Sequence, residues 1–227
     1  MLISVIIPVL NEAASIRACL AQFEQEENVE VVVVDGGSTD GTPDLIDALG
    51  IGKCVSASDV GRASQMNFGV QHTKGDVLLF LHADTFLPEK GLHLIRQAMM
   101  GEDVLGGRFR LGLAETGIGF QLIAYLSTLR SKYLGITYGD QGIFARRGVF
   151  DAVGGYPALH LFEDSEFCSL VAQRGKFVML PAQVCSSTRR WRKWGVVKTV
   201  IWMWLLRMLF TCGVSDKTLS RWYRTVR

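Results

Sequence analysis

The sequence predicts an α/β protein in which a mostly parallel sheet is flanked by helices and followed by a helical C-terminal extension. Three observations predict it. Short, continuous apolar runs of β-branched and large aliphatic residues recur early in the chain, as in strands buried on both faces. Helical signals lie between them. The chain has 227 residues, 48% hydrophobic and 20% charged, which suits one sizeable hydrophobic core and excludes a disordered, collagen-like or mucin-like chain.

In chain order, residues 3–10, 29–34 and 77–81 are the apolar runs that predict strands. Between them, Asn11 is positioned to cap a helix over 13–24, and Thr42-Pro43 opens a second over 44–49, proline being tolerated in a first helical turn. A third helix over Arg62–Gln71 carries Ala63, Met66 and Val70 at helical spacing. Strand and helix alternate, so the first 110 residues form an α/β unit around parallel strands. Further on, the pattern predicts helices over 119–133 and 162–174, strands over 143–145 and 177–180, and terminal helices over 196–211 and 217–223. No linker rich in Pro, Gly or Ser separates the halves. Residues 1–190 are therefore expected to form one domain, with 191–227 a basic, Trp-rich helical extension rather than an independent domain.

The net charge of +2 conceals an asymmetry: residues 1–173 carry 12 Lys/Arg against 21 Asp/Glu, and residues 174–227 carry 12 against one. A phosphate-bearing ligand or an anionic membrane surface would suit such a C-terminal segment, and a solvated basic face is the plain alternative. The run Arg189-Arg190-Trp191-Arg192-Lys193-Trp194 adds indole rings to the cations, a combination suited to phosphate contact, sugar stacking or a headgroup region. Nucleic acid is not expected as a partner, since the rest of the chain is acidic and carries no nucleic-acid-binding motif. Lys198 and Arg207 enclose only eight uncharged residues, far short of the roughly 20 a spanning helix needs. With five cysteines in no paired spacing and no basic region before the first apolar run, the expected location is cytoplasmic, with peripheral attachment at the inner face of the membrane left open.

Three motifs carry chemistry. Asp35-Gly36-Gly37-Ser38-Thr39-Asp40-Gly41-Thr42 follows a predicted strand and leads into a helix, the position at which open α/β sheets bind ligands. Its spacing differs from dinucleotide and P-loop fingerprints. A structural turn explains its glycines equally well. Leu81-His82-Ala83-Asp84 follows the third strand and puts His82 and Asp84 on one side of the chain. A carboxylate there can ligate Mg²⁺ or Mn²⁺ with substrate phosphates completing the shell, or simply cap a turn. Glu163-Asp164-Ser165-Glu166 crowds three carboxylates at a helix start, where like charges raise a pKa toward the range of a general base. Acidic residues also favour helix N-termini for electrostatic reasons alone.

Taken together with residues 4–12, Ser-Val-Ile-Ile-Pro-Val-Leu-Asn-Glu, these motifs stand in an order that resembles the family 2 glycosyltransferases of the GT-A fold, over residues 3 to about 190. Gly61-Arg62-Ala63-Ser64-Gln65-Met66-Asn67, Tyr138-Gly139-Asp140-Gln141-Gly142 and Ser187-Thr188-Arg189-Arg190-Trp191 resemble, more narrowly, the radical-SAM/selenodomain-associated transferase 2 subgroup. The resemblance implies a GT-A-like sheet and transfer of a sugar from a nucleotide-diphosphate sugar to an unidentified acceptor, metal-dependent and inverting. It further implies donor contacts from Pro8, Glu12, Asp35, Arg62 and Asp84, with Asp84 holding a divalent cation. Asp164 would be the base, with Glu163 beside it. His82, Asp140, Gln141, Arg189, Arg190 and Trp191 are candidate phosphate or acceptor contacts. His82 stands where the family often has a second Asp. A non-catalytic nucleotide-sugar-binding protein of the same fold and a nucleotidyltransferase are the alternatives.

Overall fold

The computed structural model describes residues 1–58 and 61–223, with the side chain of Arg190 outside that description. Strands β1 (Ile3–Val9), β2 (Val29–Asp35), β3 (Lys53–Ser56) and β4 (Val77–Phe80) pair in parallel in the order β3-β2-β1-β4. Beyond β4 the sheet becomes mixed: β7 (Ile143–Arg146) runs antiparallel to β4 and to β6 (Val104–Leu113). β6 runs parallel to β8 (Lys176–Ser186), and β5 (Thr85–Phe86) closes the edge antiparallel to β8.

Helices α1 (Ala13–Ala21), α2 (Thr42–Leu49), α3 (Arg62–Gln71) and α4 (Gly91–Ala98) belong to the N-terminal half. The second half adds α5 (Ile118–Leu134), α6 (Arg147–Val153), α7 (Glu163–Ala172), α8 (Arg189–Trp194), α9 (Val196–Thr211) and α10 (Asp216–Trp222). No helix among the described residues is long and apolar enough to cross a membrane.

The period-2 geometry of β1 divides the core between the two faces of the sheet. Ile3, Val5, Ile7 and Val9 join the cluster that holds Ile16, Leu20 and Ile95, whereas Ile6 faces Met66, Phe80 and Phe167. Phe80 meets Tyr156 edge-on at 4.8 Å between centroids, a favoured aromatic geometry. A third, smaller cluster ties Leu206 of α9 and Leu219 of α10 to Leu161 and Phe162, just ahead of α7.

Several predicted elements change on folding. Asn11 is not the cap of α1: its φ is +57° and Glu12 holds the cap position. The segment predicted as a strand over 177–180 is the first part of an 11-residue strand, Lys176–Ser186, whose continuation is hidden in the sequence by Pro181 and Gln183. β6 escaped notice because Gly106, Gly107 and Gly112 break its apolar run. These glycines let neighbouring backbone come close: a Cβ on Gly107 would lie 2.5 Å from the carbonyl oxygen of Val178. β3, β5, α4, α6 and α8 also went unpredicted, being short or weakly patterned.

Candidate active site

The Gly-rich loop after β2 is fastened to the start of α1. Asn11 Oδ1 accepts from the backbone N–H of Thr39 at 2.8 Å, and the N–H of Asn11 donates to Ser38 Oγ at 2.8 Å. Asp40 Oδ2 accepts from the N–H of Ala13 at 3.0 Å. The carboxylate of Asp35 turns inward on its own loop, accepting from the N–H groups of Gly37 at 2.9 Å and Ser38 at 3.1 Å, as Asx turns do. From below, the amide of Gln65 donates to the carbonyls of Val9 at 2.9 Å and Val34 at 2.8 Å. This buried α3 side chain therefore pins the ends of β1 and β2. Sequence reasoning passed over Gln65, although its place within a helix that faces two strand ends was the available signal.

At the end of β4 three charged residues converge. The guanidinium of Arg189, at the start of α8, donates to Asp84 Oδ2 at 2.9 Å and to Glu12 Oε2 at 2.9 Å. Two carboxylates from separate segments thus share one positive group, which stands in for a cation at that position. Hard carboxylate oxygens of this kind fit Mg²⁺ or Mn²⁺ when a substrate supplies further oxygens. By themselves they are two donors, and the described residues contain no group of three or more acidic, His or Cys side chains able to enclose a metal.

The acidic pair sits opposite. Phe162, with φ at +69°, turns the chain into α7; a non-glycine residue in that region marks strain held by its surroundings. Those surroundings are Phe210 at 5.3 Å between centroids and the guanidinium of Arg207 over the Phe162 ring. Glu163 and Asp164 follow, both buried. Glu163 Oε1 pairs with Arg62 Nε at 3.2 Å, while Asp164 Oδ2 accepts from the N–H of Gly139 at 2.9 Å.

Asp164 Oδ1 is buried with no hydrogen-bond partner among the described residues. Burial first, and the charge of Glu163 second, push the Asp164 carboxyl up to about 8. Like-charge crowding was expected to do this, but desolvation is the larger cause. Gly139 lies between the two sides of the site: a Cβ there would fall 2.5 Å from His82 Nε2 and 2.7 Å from Asp164 Oδ2. Glycine is required by this close approach.

Arg62, His82, Asp84, Asp140, Glu163, Asp164, Arg189 and Trp191 all line one cavity of about 500 Å³. Glu12 joins it through Arg189. Pro8, Asp35 and Gln141 do not line it. Pro8 is paired with Val34 inside the sheet, beyond the last β1–β4 pairing at Ile6 and Phe80. Gln141 is fully buried and donates to the carbonyl of Phe109 at 3.2 Å, so the structure gives it a bracing position below the site. The side chain of Arg190, a candidate contact, lies outside the described residues.

The C-terminal cations are partly neutralised by the chain itself. Besides Arg189, Arg192 pairs with Glu115, and Arg207 with Glu166 at 3.0 Å. The charge asymmetry of the sequence is in this measure an internal complementarity between the acidic body and the basic extension. Trp202 packs on the third cluster, while Trp191 and Trp204 line the cavity.

A family model described as glycosyl transferase family 2 matches residues 4–154. A PGL/p-HBAD biosynthesis glycosyltransferase of Mycobacterium bovis is 36% identical over 171 residues, covering 67% of this chain and 62% of that protein. An undecaprenyl-phosphate 4-deoxy-4-formamido-L-arabinose transferase of Aeromonas hydrophila is 36% identical over 117 residues, 46% of this chain and 36% of that one. The chain thus spans less than two thirds of the length of these relatives. Among solved structures, glucosyl-3-phosphoglycerate synthase from Mycobacterium tuberculosis, in complex with Mn²⁺, UDP and glucosyl-3-phosphoglycerate, aligns with a TM-score of 0.62 at 20% identity. That alignment covers 95% of this chain and 81% of that one. S. aureus TarS 1–349 in complex with UDP-GlcNAc aligns with a TM-score of 0.62 at 18% identity, over 83% and 59%. At these identities the likeness is one of fold, and the fold is that of GT-A glycosyltransferases.

Proposed function

Since the chain belongs to glycosyl transferase family 2, we propose that it transfers a sugar from a nucleoside-diphosphate donor to an oxygen nucleophile on an acceptor. The observation that carries this reading is the unpartnered, buried Oδ1 of Asp164 in the same cavity as the Arg189–Asp84–Glu12 cluster. One end holds a carboxyl whose raised pKa suits it to accept a proton near neutral pH. The other groups charges of both signs where a diphosphate would lie.

In this reading Asp164 takes the proton of the acceptor hydroxyl as its oxygen attacks the anomeric carbon. The bond from that carbon to the diphosphate oxygen breaks, and the nucleoside diphosphate leaves with the electron pair. One in-line displacement inverts the anomeric centre and needs no covalent sugar–enzyme intermediate. Asp84, with Glu12 beside it, would hold a divalent cation, which when bound offsets the charge developing on the departing diphosphate. Arg189 is placed to exchange its carboxylate partners for phosphate oxygens, a change its planar guanidinium suits. Glu163, paired with Arg62, holds that guanidinium in place and keeps negative charge beside Asp164. Residues 1–190 form the transferase domain in this reading, and α9 and α10 brace it through Phe162.

Incubation with a panel of nucleotide sugars, with Mn²⁺ or with a chelator, tests the proposal. Release of a nucleoside diphosphate that depends on the cation and is lost in Asp164→Asn supports it. Pyrophosphate release from a nucleoside triphosphate would instead identify a nucleotidyltransferase, and donor binding without turnover under any acceptor mixture would identify a binding protein.

A further inference from the structure

Tyr156 carries a buried phenol that packing alone does not explain. Its ring stacks on Phe167 of α7 at 4.3 Å between centroids and meets Phe80 of β4 edge-on, contacts that a phenylalanine would make equally well. The hydroxyl is buried and has no hydrogen-bond partner among the described residues. A hydroxyl buried unpaired is destabilising, and phenylalanine would avoid that cost. The backbone nevertheless holds this side chain firmly in place. The N–H of Tyr156 donates to Asn67 Oδ1 at 2.8 Å, and its carbonyl accepts from Asn67 Nδ2 at 2.9 Å, so one amide of α3 clamps both main-chain groups. Asn67, the last residue of the motif that begins at Gly61, thereby acquires a use although it does not line the cavity.

Asp164 supplies the other half. Phe167 and Cys168 stand three and four residues after it on α7, so the ring that carries Tyr156 shares a helix face with the carboxyl. Asp164 Oδ1 is likewise buried without a partner. After burial, the charge of Asp164 is the largest cause that holds the Tyr156 hydroxyl well above its ordinary pKa, ahead of Cys168 and Glu163. The phenol therefore keeps its proton, and remains a donor, wherever Asp164 ionises. A donor that does not line the cavity and an acceptor on a residue that does are both unpaired, and they lie near enough to couple electrically.

We propose that Tyr156 is a positioning residue for the base: when Asp164 is ionised, the phenol donates a hydrogen bond toward Oδ1, directly or through one water, and steadies the carboxylate at the cavity wall. This rests on the transferase reading for the role of base, though the pairing itself does not. A hydrogen bond to the charged form favours that form, so Tyr156 lowers the pH at which Asp164 becomes a base and opposes the burial and the Glu163 charge that raise it. The other groups facing Asp164 are Arg62 from α3, Cys168 on α7, and Asp140 and His82 from across the site.

Tyr156→Phe keeps the ring and removes the hydroxyl, leaving every other group around Asp164 in place. The full chain with carbon-13-labelled aspartate, wild type and variant, is titrated by NMR from about pH 5 to pH 10, a range that brackets an Asp164 midpoint of about 8. The Asp164 carboxyl is identified by its loss in Asp164→Asn. Its midpoint should rise by at least about half a pH unit in Tyr156→Phe. The rise of turnover with pH should shift by the same amount, a loss of about threefold below the midpoint that disappears at high pH. In an Asp164→Asn background, the same change should alter residual turnover by less than about twofold, since the two residues act as one unit. Identical carboxyl titrations would overturn the proposal, and a higher melting temperature with them would mark the phenol as an unpaired core group. A full loss in the Asp164→Asn background would overturn it too, by placing the effect of the hydroxyl elsewhere. A shifted titration without turnover of any nucleotide sugar would count against the transferase and leave the pair standing.

Discussion

The two ends of the cavity are built on opposite plans. At the strand-end side, Glu12 and Asp84 follow β1 and β4 and share Arg189, while the neighbouring loop from Asp35 to Thr42, outside the cavity lining, is laced to the start of α1 by hydrogen bonds, with Gln65 fixing the strand ends beneath. At the other end, α5 and α9 come from the irregular half of the chain and present exposed apolar side chains. The first is a rigid polar frame of the kind α/β sheets offer wherever several strands end together. The second is a surface set by two helices, of which α9 meets the body through a small cluster. Asp164 sits where the two meet, so each variant below tests one side of that division.

Asp164→Asn should have the largest effect, a loss of about 10²–10⁴-fold in turnover with nucleoside-diphosphate affinity retained, because the amide keeps the shape and loses the base. The same variant should be more stable to heat at neutral pH. In the folded chain the Asp164 carboxyl titrates at about 8, against roughly 3.9 in an unfolded one. Between those values the folded state holds a proton that the unfolded state has released, so raising pH through this window lowers stability. Asparagine removes that dependence. A melting-temperature series from pH 5 to 9 should therefore fall less steeply in the variant, and parallel slopes would show that the carboxyl is not buried as described. Wild-type turnover should rise over the upper part of the same range as the base loses its proton.

Gly139→Ala attacks the boundary between the two ends. Its methyl group would lie 2.5 Å from His82 Nε2 and 2.7 Å from Asp164 Oδ2, and a displacement of about 1 Å at a reacting group costs on the order of 10²-fold in rate. Turnover should drop by about that factor while the melting temperature changes little. Asp84→Ala breaks the donor end alone: Mn²⁺-dependent affinity for the nucleoside diphosphate should fall at least about tenfold, and calorimetry showing no such fall would remove Asp84 from the cation site.

The strand-end side of the cavity was legible in the sequence and the side built by α5 and α9 was not, for a physical reason. Strands buried on both faces write themselves as unbroken apolar runs, so β1, β2 and β4 announced both the sheet and the strand ends where Asp35 and Asp84 stand. Charged residues placed directly after such runs have few other places to go. The family was legible for the same cause, since its motifs occupy those strand ends. Phe162 at φ +69°, the bracing of Gln65 and the pairing of Arg189 with Glu12 depend on contacts between segments far apart in sequence, and no local pattern encodes them. Asn11 shows the limit of local rules: a residue type that favours helix caps instead holds the Gly-rich loop. The apolar residues of α5 and α9 recur at helical spacing, which does not say which way they face, and only the folded arrangement shows them facing outward.

Arg189→Ala should produce the smallest effect and the sharpest test of the stand-in cation. Its side chain is about a third exposed, with Glu12 and Asp84 less so, and partly exposed pairs of this kind contribute at most about 1 kcal/mol each. Removing the guanidinium leaves two carboxylates facing one another without their shared counter-charge. Two opposed consequences follow, and both can be measured. Mn²⁺ binding to the free protein should tighten by roughly fivefold, about 1 kcal/mol, because the cation no longer competes with a tethered positive group. Nucleoside-diphosphate binding without metal should weaken by a similar factor, because a charged hydrogen-bond donor to phosphate is gone. Arg189→Lys should restore part of the competition with Mn²⁺ and little of the diphosphate binding, since an ammonium group supplies charge without the planar pair of donors. If Mn²⁺ affinity is the same in wild type and Arg189→Ala, the guanidinium and the cation occupy different places, and Glu12 loses its assignment to the donor end.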